Sequence, residues 1–274
     1  MASEPDAPEF PPESSAIVRK IRARTPARLL AGRTGASYRT DTQLDLREAH
    51  AAARDAVRTE LDWQACLGAD FAERWKLFEV CTMATTKDEY LLRPDLGRRF
   101  SSEARAEIAR SCSSGNNLQI VIGDGLSVTA VAAQVPRLMG LLFEGARGER
   151  WTIGRPFLVR HCRVGVLNEI GEMLAPDVAV LLIGERPGLA TAESLSAYLA
   201  YRPQSFHTDA NRNLISNIHD RGVSPQNAAA RILGLARQMM HAKESGCNLK
   251  EEFSLPGIDR AATLKTANER NQLS

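Results

Sequence analysis

Two glycine-flanked loops carry the side chains best placed for ligand chemistry. Residues 118–122 and 178–183 read as buried strands, and they lead into Gly123-Asp124-Gly125 and Gly184-Glu185-Arg186-Pro187-Gly188. In an α/β sheet ligands bind beyond the carboxyl ends of strands, where glycines allow close approach to the backbone. Glu185 can accept hydrogen bonds from ligand amides or hydroxyls, which is a binding role rather than proton transfer. Neither loop has a GxGxxG or Walker A pattern. Two interpretations of each loop therefore remain: a ligand-binding loop, or a tight turn that merely needs glycine.

The cysteines and histidines form no recognisable catalytic or metal-binding set. The chain has five of each, with no CxxC, HxxxH or HxH spacing and no GxSxG elbow. A zinc site needs close pairs of such ligands, so we predict free or buried thiols and no metal site. His161 and Cys162 are adjacent in a predicted strand and should point to opposite faces. Solvated positions are expected for His207, Asp209 and the His219-Asp220 pair, and no catalytic residue is predicted.

The composition excludes several classes of protein. The chain has 274 residues, of which 43% are hydrophobic and 25% charged, enough for a sizeable core. Its net charge is only +2, whereas bulk nucleic-acid binding needs a large excess of Lys and Arg. The longest apolar run, residues 178–183, is too short for a bilayer, and residues 1–13 lack the regions of a signal peptide. We expect a soluble intracellular protein with neither nucleic-acid nor membrane partners.

The periodicity of apolar residues changes at Gly115. Before it, a helix is predicted from Thr40 or Asp41 to about Glu60, and an aromatic stripe at Phe71, Trp75, Phe78 and Thr82 has helical spacing. A third helix follows the cap Ser101. After Gly115, strands are predicted at residues 118–122, 157–159, 164–166 and 178–183, and helices near Ser127, Thr191 and Ser224-Pro225. Strands that alternate with helices favour a mostly parallel, helix-covered sheet.

The chain divides into four segments on these grounds. We predict a flexible acidic, Pro-rich leader at residues 1–16, a smaller helical N-terminal region at 17–115, the sheet domain at 116–253 and a loosely ordered tail at 254–274. From Arg19 to Arg39 every charged residue is basic. That stretch is either a solvated face or a docking surface for an acidic partner.

Several runs in order along the chain are more specific. They are residues 25–28 (TPAR), 31–36 (AGRTGA), 50–57 (HAAARDAV), 90–98 (YLLRPDLGR), 118–127 (LQIVIGDGLS), 163–171 (RVGVLNEIG), 182–189 (LIGERPGL), 208–213 (TDANRN) and 215–217 (ISN). Together they resemble the small (light) subunit of ethanolamine ammonia-lyase over roughly residues 17–252. The resemblance implies a Rossmann-like domain within the α/β class.

The resemblance also implies an activity, a cofactor and a partner. The family converts ethanolamine to acetaldehyde and ammonia by adenosylcobalamin-dependent radical chemistry. Its large subunit, a TIM barrel, holds the substrate, and the small subunit closes over the cofactor at the interface between them. On this basis the chain is a lyase subunit that is inactive alone and works in a hetero-oligomer. Because a partner is now implied, a docking surface becomes the favoured interpretation of the stretch from Arg19 to Arg39.

The family's cobalamin contacts fall on three positions of this sequence. Val164 matches a valine against the corrin ring, and Glu185 matches a glutamate suited to corrin amides. The third position is Leu214, where the family commonly has a cysteine, so a backbone contact would survive but a thiol contact would not. Arg163 and Arg186 are further candidates for the cofactor's amides or phosphate.

The resemblance leaves some points open. No Asp-x-His-x-x-Gly run occurs, so base-on cobalamin is expected. The expected location is the bacterial cytoplasm; an ethanolamine-utilisation microcompartment is less secure, because residues 1–14 cannot form the amphipathic helix of encapsulated members. Two alternatives to the lyase subunit are a non-catalytic binding or scaffold module that has lost the cofactor, kept open by Leu214, and a free-standing nucleotide-binding enzyme, suggested by Gly123-Asp124-Gly125 alone.

Overall fold

The computed structural model of the chain describes residues 16–25, 29, 31–60 and 62–251. Its α-helices are α1 (Ala16–Arg22), α2 (Thr40–Arg58), α3 (Trp63–Leu67), α4 (Ala69–Trp75), α5 (Lys87–Leu92), α6 (Ser102–Ser111), α7 (Val128–Gly148), α8 (Val166–Leu174) and α9 (Pro225–Ala242). Its strands are β1 (Arg33–Thr34), β2 (Ser37–Tyr38), β3 (Glu79–Cys81), β4 (Leu118–Gly123), β5 (Phe157–Arg160), β6 (Val178–Gly184), β7 (Leu195–Tyr201) and β8 (Asn213–Ile218). The predicted leader, except for residue 16, and the whole predicted tail lie outside the described residues. Within those ranges, none of the helices combines the length and apolar character needed to cross a bilayer.

The main sheet is mixed rather than mostly parallel. Its six strands lie in the order β3-β5-β4-β6-β7-β8, and the first four run parallel. β7 and β8 are antiparallel to their neighbours. No α-helix separates β6, β7 and β8; only a 3-10 turn, Asp209–Asn211, lies between the last two strands. Consecutive strands without an α-helical crossover pair antiparallel. The α/β class is therefore confirmed, while the predicted parallel character holds for four of the six strands.

Three expected elements are wrong. The helix predicted after Thr191 is absent from the structure, because that threonine accepts from the Glu193 amide in a turn and β7 follows. The predicted strand at residues 164–166 is instead the start of α8, which begins at Val166. The helical conformation predicted for the aromatic stripe holds only as far as Trp75, where α4 ends. Beyond it β3 forms instead and joins the main sheet. The stretch before residue 116 is consequently not purely helical.

Other expectations are confirmed. The second helix forms over Thr40–Arg58, although Thr40 and Asp41 lie within it and Arg39 precedes it without a side-chain cap bond. Three of the four predicted strands form. Three serines at predicted helix starts each accept from the amide three residues on: Ser101 at 3.1 Å, Ser127 at 3.3 Å and Ser224 at 3.3 Å. These bonds satisfy N–H groups that a helix start leaves unpaired, which fixes where α6, α7 and α9 begin.

The central strands are buried on both faces. In β6, alternate side chains pack either with α7 and α9 on one face or with α6 and α8 on the other. β4 is likewise buried at all six positions. This double burial explains the continuous apolar runs in the sequence, and it holds the carboxyl ends of β4, β5 and β6 side by side.

A buried carboxylate connects two of these strand ends. Asp124, 1% exposed, follows β4 and accepts hydrogen bonds at 2.8 Å from the backbone amides of both His161 and Cys162, which follow β5. His161 has a left-handed φ of 57°. The expectation that His161 and Cys162 continue a strand is therefore wrong: they form a turn, and Asp124 stabilises its strained backbone.

Lys87 provides the nearest compensating charge for Asp124. Its side chain is buried, and Nζ donates to the Gly125 carbonyl at 3.3 Å. Burial raises the pKa of Asp124, while the Lys87 ammonium and the two backbone amides lower it. Burial in turn lowers the pKa of Lys87, and the charge of Asp124 opposes that change. The two buried groups thus depend on each other for their charged forms.

Replacing Lys87 tests this dependence. In Lys87→Met the Asp124 side chain stays buried without its countercharge, and we expect the free energy of unfolding to fall by about 3 kcal/mol. Urea unfolding of the full chain measures the change. The matched control is Arg58→Met, which breaks an exposed ion pair with Asp88 and should cost less than about 1 kcal/mol. Equal losses in the two variants would contradict the coupling.

Candidate functional site

A cavity of about 380 Å³ lies at the carboxyl ends of β4, β5 and β6 and beside β8. All five residues singled out from the sequence line it: Arg163, Val164, Glu185, Arg186 and Leu214. The remaining lining residues are Tyr90, Gly125, Leu126, Cys162, Ile183, Gly184, Ser196, Tyr198 and Ser216. Residues from Tyr90 to Ser216, far apart in the sequence, therefore share one concave surface.

The sheet topology brings these residues together. Arg163 and Val164 follow β5, Glu185 and Arg186 follow β6, and these parallel strands end at the same edge. Leu214 reaches the cavity differently. It lies on β8, opposite Tyr198 of β7 in the antiparallel half of the sheet. The cavity thus forms where the parallel and antiparallel halves meet.

Glu185 is held by three donors. Its Oε2 accepts from Ser194 Oγ at 2.6 Å, and its Oε1 accepts from Ser196 Oγ at 2.6 Å and from the Asn217 amide at 2.8 Å. A carboxylate has about four acceptor sites, so one site on Oε2 is left for a further donor. These bonds fix the orientation of the carboxylate before any ligand arrives.

Arg163 is positioned by an aromatic ring. Its guanidinium lies 4.2 Å from the centre of the Tyr90 ring, and Nη2 donates to the Tyr90 carbonyl at 3.1 Å. The Tyr90 hydroxyl donates to the Cys162 carbonyl at 3.1 Å, and burial raises the pKa of that hydroxyl. Among the described residues, no acceptor reaches the buried Nε of Arg163. An unpaired buried donor is costly, so this atom is suited to a ligand oxygen.

Aliphatic side chains cover much of the remaining surface. Leu126, Val164, Ile183 and Leu214 contribute aliphatic side chains, and Leu214 is 46% exposed. Cys162 also lines the cavity, but its thiol is fully buried and burial raises its pKa well above the usual value. A protonated, enclosed thiol is a poor nucleophile. The cavity therefore offers aliphatic side chains beside a few polar groups, which suits ligand binding better than nucleophilic catalysis.

The described residues contain no cluster of three or more His, Cys, Asp and Glu side chains able to hold a metal ion. The expected solvated position of His219 is wrong: it is 6% exposed, and its Nε2 lies 2.7 Å from Asn217 Oδ1. His207 is half-buried, and burial lowers its pKa. Asp209 is solvent-exposed, as expected. Each of these histidines has a structural explanation.

Four residues that shape the site were not singled out from the sequence: Tyr90, Ser194, Ser196 and Asn217. Ser194 and Ser196 have the spacing of two residues that places side chains on one face of a strand. This spacing indicates a strand, whereas the prediction from Thr191 is a helix. Asn217 has a left-handed φ of 61°, which asparagine tolerates better than most residues.

Comparison with known proteins agrees with the motif resemblance. A model of the family described as ethanolamine ammonia-lyase light chain matches residues 15–250. The chain is 42% identical to the ethanolamine ammonia-lyase small subunit of Clostridium perfringens over 231 residues, which cover 84% of this chain and 76% of that protein. It is 41% identical to the subunit of the same name in Pseudomonas fluorescens over 244 residues, 88% of this chain and 89% of that one. The predicted resemblance is confirmed, and the chain belongs to the ethanolamine ammonia-lyase light chain family.

Proposed function

We propose that the chain is the small subunit of an adenosylcobalamin-dependent ethanolamine ammonia-lyase and closes the cobalamin site against a large subunit. The observation that carries the proposal is the convergence of Arg163, Val164, Glu185, Arg186 and Leu214 on one cavity. These positions are far apart in sequence, and the fold brings them together without a catalytic set beside them.

The residues of the cavity fit the edge of a corrinoid. A corrin has an apolar face and a rim of amide side chains, and the cavity offers aliphatic groups beside a pre-oriented carboxylate. Glu185 has one site left for an amide N–H₂ donor. The unpaired Nε of Arg163 is suited to an amide carbonyl or a phosphate oxygen. Arg186 is exposed at the rim, where it can reach polar groups of the same ligand.

This chain contributes binding and exclusion of water rather than proton transfer. Bound adenosylcobalamin supplies radical initiation by homolysis of its Co–C bond. Val164 and Leu214 would cover apolar corrin surface, and Glu185 would fix the rotation of the ring through its amide rim. We propose base-on binding, because no Asp-x-His-x-x-Gly run occurs in the sequence. The reacting centre belongs to the large subunit, so this chain alone is inactive on our proposal.

The second candidate is a non-catalytic module that has lost the cofactor. Leu214, in place of the cysteine usual in the family, is the observation that keeps it open. However, the leucine remains exposed in the cavity and is larger and more apolar than cysteine. A contact made by the backbone or by apolar packing survives this exchange, so the cofactor-binding function is the better supported one.

The complex with a large subunit tests the overall function. We expect the co-expressed pair to retain cobalamin, visible in its absorption spectrum, and to release acetaldehyde from ethanolamine, whereas this chain alone releases none. The Co(II) electron paramagnetic resonance signal should not change when histidine is labelled with ¹⁵N, because the lower ligand is the cofactor's own base. Acetaldehyde from the isolated chain would contradict the subunit role. A complex that assembles without cobalamin would favour the non-catalytic module.

Glu185→Gln tests the proposed amide contact. Glutamine keeps the shape and can still bond Ser194, Ser196 and the Asn217 amide, but it loses the charge and the spare acceptor site. We expect cobalamin to bind the complex about ten- to a hundredfold more weakly, with little change in the unfolding midpoint. Equilibrium dialysis measures the affinity. Glu149→Gln, which alters an ion pair with Arg237 outside the cavity, is the control and should bind normally.

Leu214 is tested with a pair of substitutions. Leu214→Asp would place a carboxylate against apolar ligand surface, and desolvation should weaken cobalamin binding by about tenfold or more. Leu214→Cys should bind like the wild type. Leu44→Asp changes another exposed leucine, on α2 outside the cavity, and serves as the control. Wild-type affinity in Leu214→Asp would remove this residue from the site.

A further inference from the structure

A second cavity, of about 490 Å³, lies beside the cofactor cavity and is lined largely by charged side chains. Val164 and Leu214 line the cofactor cavity, whereas their near neighbours Gly165 and Arg212 line the second one. We call the second one the arginine cavity, after the four arginines that line it: Arg98, Arg99, Arg105 and Arg212.

Two of these arginines already have carboxylate partners. Arg105 Nη2 lies 2.7 Å from Glu169 Oε1, and the other oxygen of that glutamate accepts from the Phe100 amide at 2.9 Å. Arg212 forms an ion pair with Asp209. Both acids thus bond to partners other than Arg98 and Arg99.

The remaining two arginines lack such partners. In the described part of the chain, neither Arg98 nor Arg99 forms an ion pair or a side-chain hydrogen bond. The third acid of the cavity, Glu172, accepts from the Ser205 amide at 3.0 Å. Four arginines thus face three carboxylates, which leaves the arginine cavity with a net positive charge.

Arg212 marks the floor of the arginine cavity. Its side chain is only 5% exposed, Nη2 donates to Asn168 Oδ1 at 2.8 Å, and no described residue accepts from its buried Nε. Burial and the neighbouring positive charge of Arg98 lower the pKa of Arg212. Like charges held close together in a concave, half-enclosed site attract an anion.

We propose that the arginine cavity binds a phosphate group, with Arg98 and Arg99 closing over it above Arg212. Guanidinium groups present pairs of N–H donors that match the oxygens of a phosphate. A phosphate ligand would therefore account for the clustering of arginines in one small cavity. A concave cavity with a buried arginine also suits a small ligand better than a flat protein surface does. The phosphate can come from solution or from the nucleotide tail of a corrinoid in the adjoining cavity, and only the second source rests on the proposed function.

Titration of the full-length chain with inorganic phosphate tests the site without any cofactor. We expect calorimetric binding to the wild type and at least about tenfold weaker binding to Arg98→Gln/Arg99→Gln. Arg110→Gln/Arg137→Gln removes two charges outside the cavity and should bind normally. Potassium chloride at equal ionic strength should give no comparable heat. If the double variant has a lowered unfolding midpoint, the single variant Arg99→Gln replaces it in the phosphate titration.

The source of the phosphate is distinguished in the two-subunit complex. If the nucleotide tail occupies the site, the double variant should bind cobalamin more weakly but cobinamide, which lacks the tail and its phosphate, equally well. If free phosphate is the ligand, it should still bind the cobalamin-loaded complex. Either result supports a phosphate site in the arginine cavity. If the complex binds no corrinoid at all, the proposed function fails, but the phosphate titration still tests the arginine cavity.

Two results would overturn the proposal. The first is absence of phosphate binding to the wild-type chain, or binding that the Arg98 and Arg99 substitutions leave unchanged. The second is a double variant whose only defect is weaker association with the large subunit. That outcome would assign the arginines to a carboxylate on the partner's surface instead.

Discussion

Two hydrogen bonds that the backbone amides of His161 and Cys162 donate to Asp124 control the geometry of the site. They join the end of β4 to the turn after β5, and that turn sets the direction in which Arg163 and Val164 enter the cavity. A buried carboxylate is costly, so the arrangement requires the Lys87 ammonium nearby. The Tyr90 hydroxyl bonds the Cys162 carbonyl in the same turn, which gives the backbone there support from both strands and from α5.

Much of the fold could be predicted from local chemistry. Serine caps, a proline at the first position of α9 and double-faced apolar strands are short-range signals, and they predicted α6, α7, α9, β4, β5 and β6. The antiparallel half could not be predicted in this way. The run Leu-Ser-Ala-Tyr-Leu-Ala-Tyr of β7 has no strong strand or helix periodicity. Pairing with β6 along seven residues, a long-range interaction, decides its conformation.

The site shows the same division. Residues next to the glycine loops, such as Glu185 and Arg163, were recognisable because motifs mark them. The groups that orient them were not, because Ser194, Ser196 and Tyr90 act through distances that only the folded chain creates. The Gly123-Asp124-Gly125 loop combines both interpretations. Gly125 lines the cavity, but Asp124 faces the protein interior, and a Cβ on Gly125 would lie 2.3 Å from the Gly184 carbonyl.

The cavity of about 380 Å³ is far smaller than a complete corrinoid requires. On the proposed function, most of the cofactor surface must then be covered by the large subunit. Cofactor binding and subunit association become thermodynamically linked, since each one raises the affinity of the other by the same factor. Depletion of the cofactor would loosen the complex, and dilution of the complex would release the cofactor. On the same proposal, the stability of the complex depends on the concentration of the cofactor.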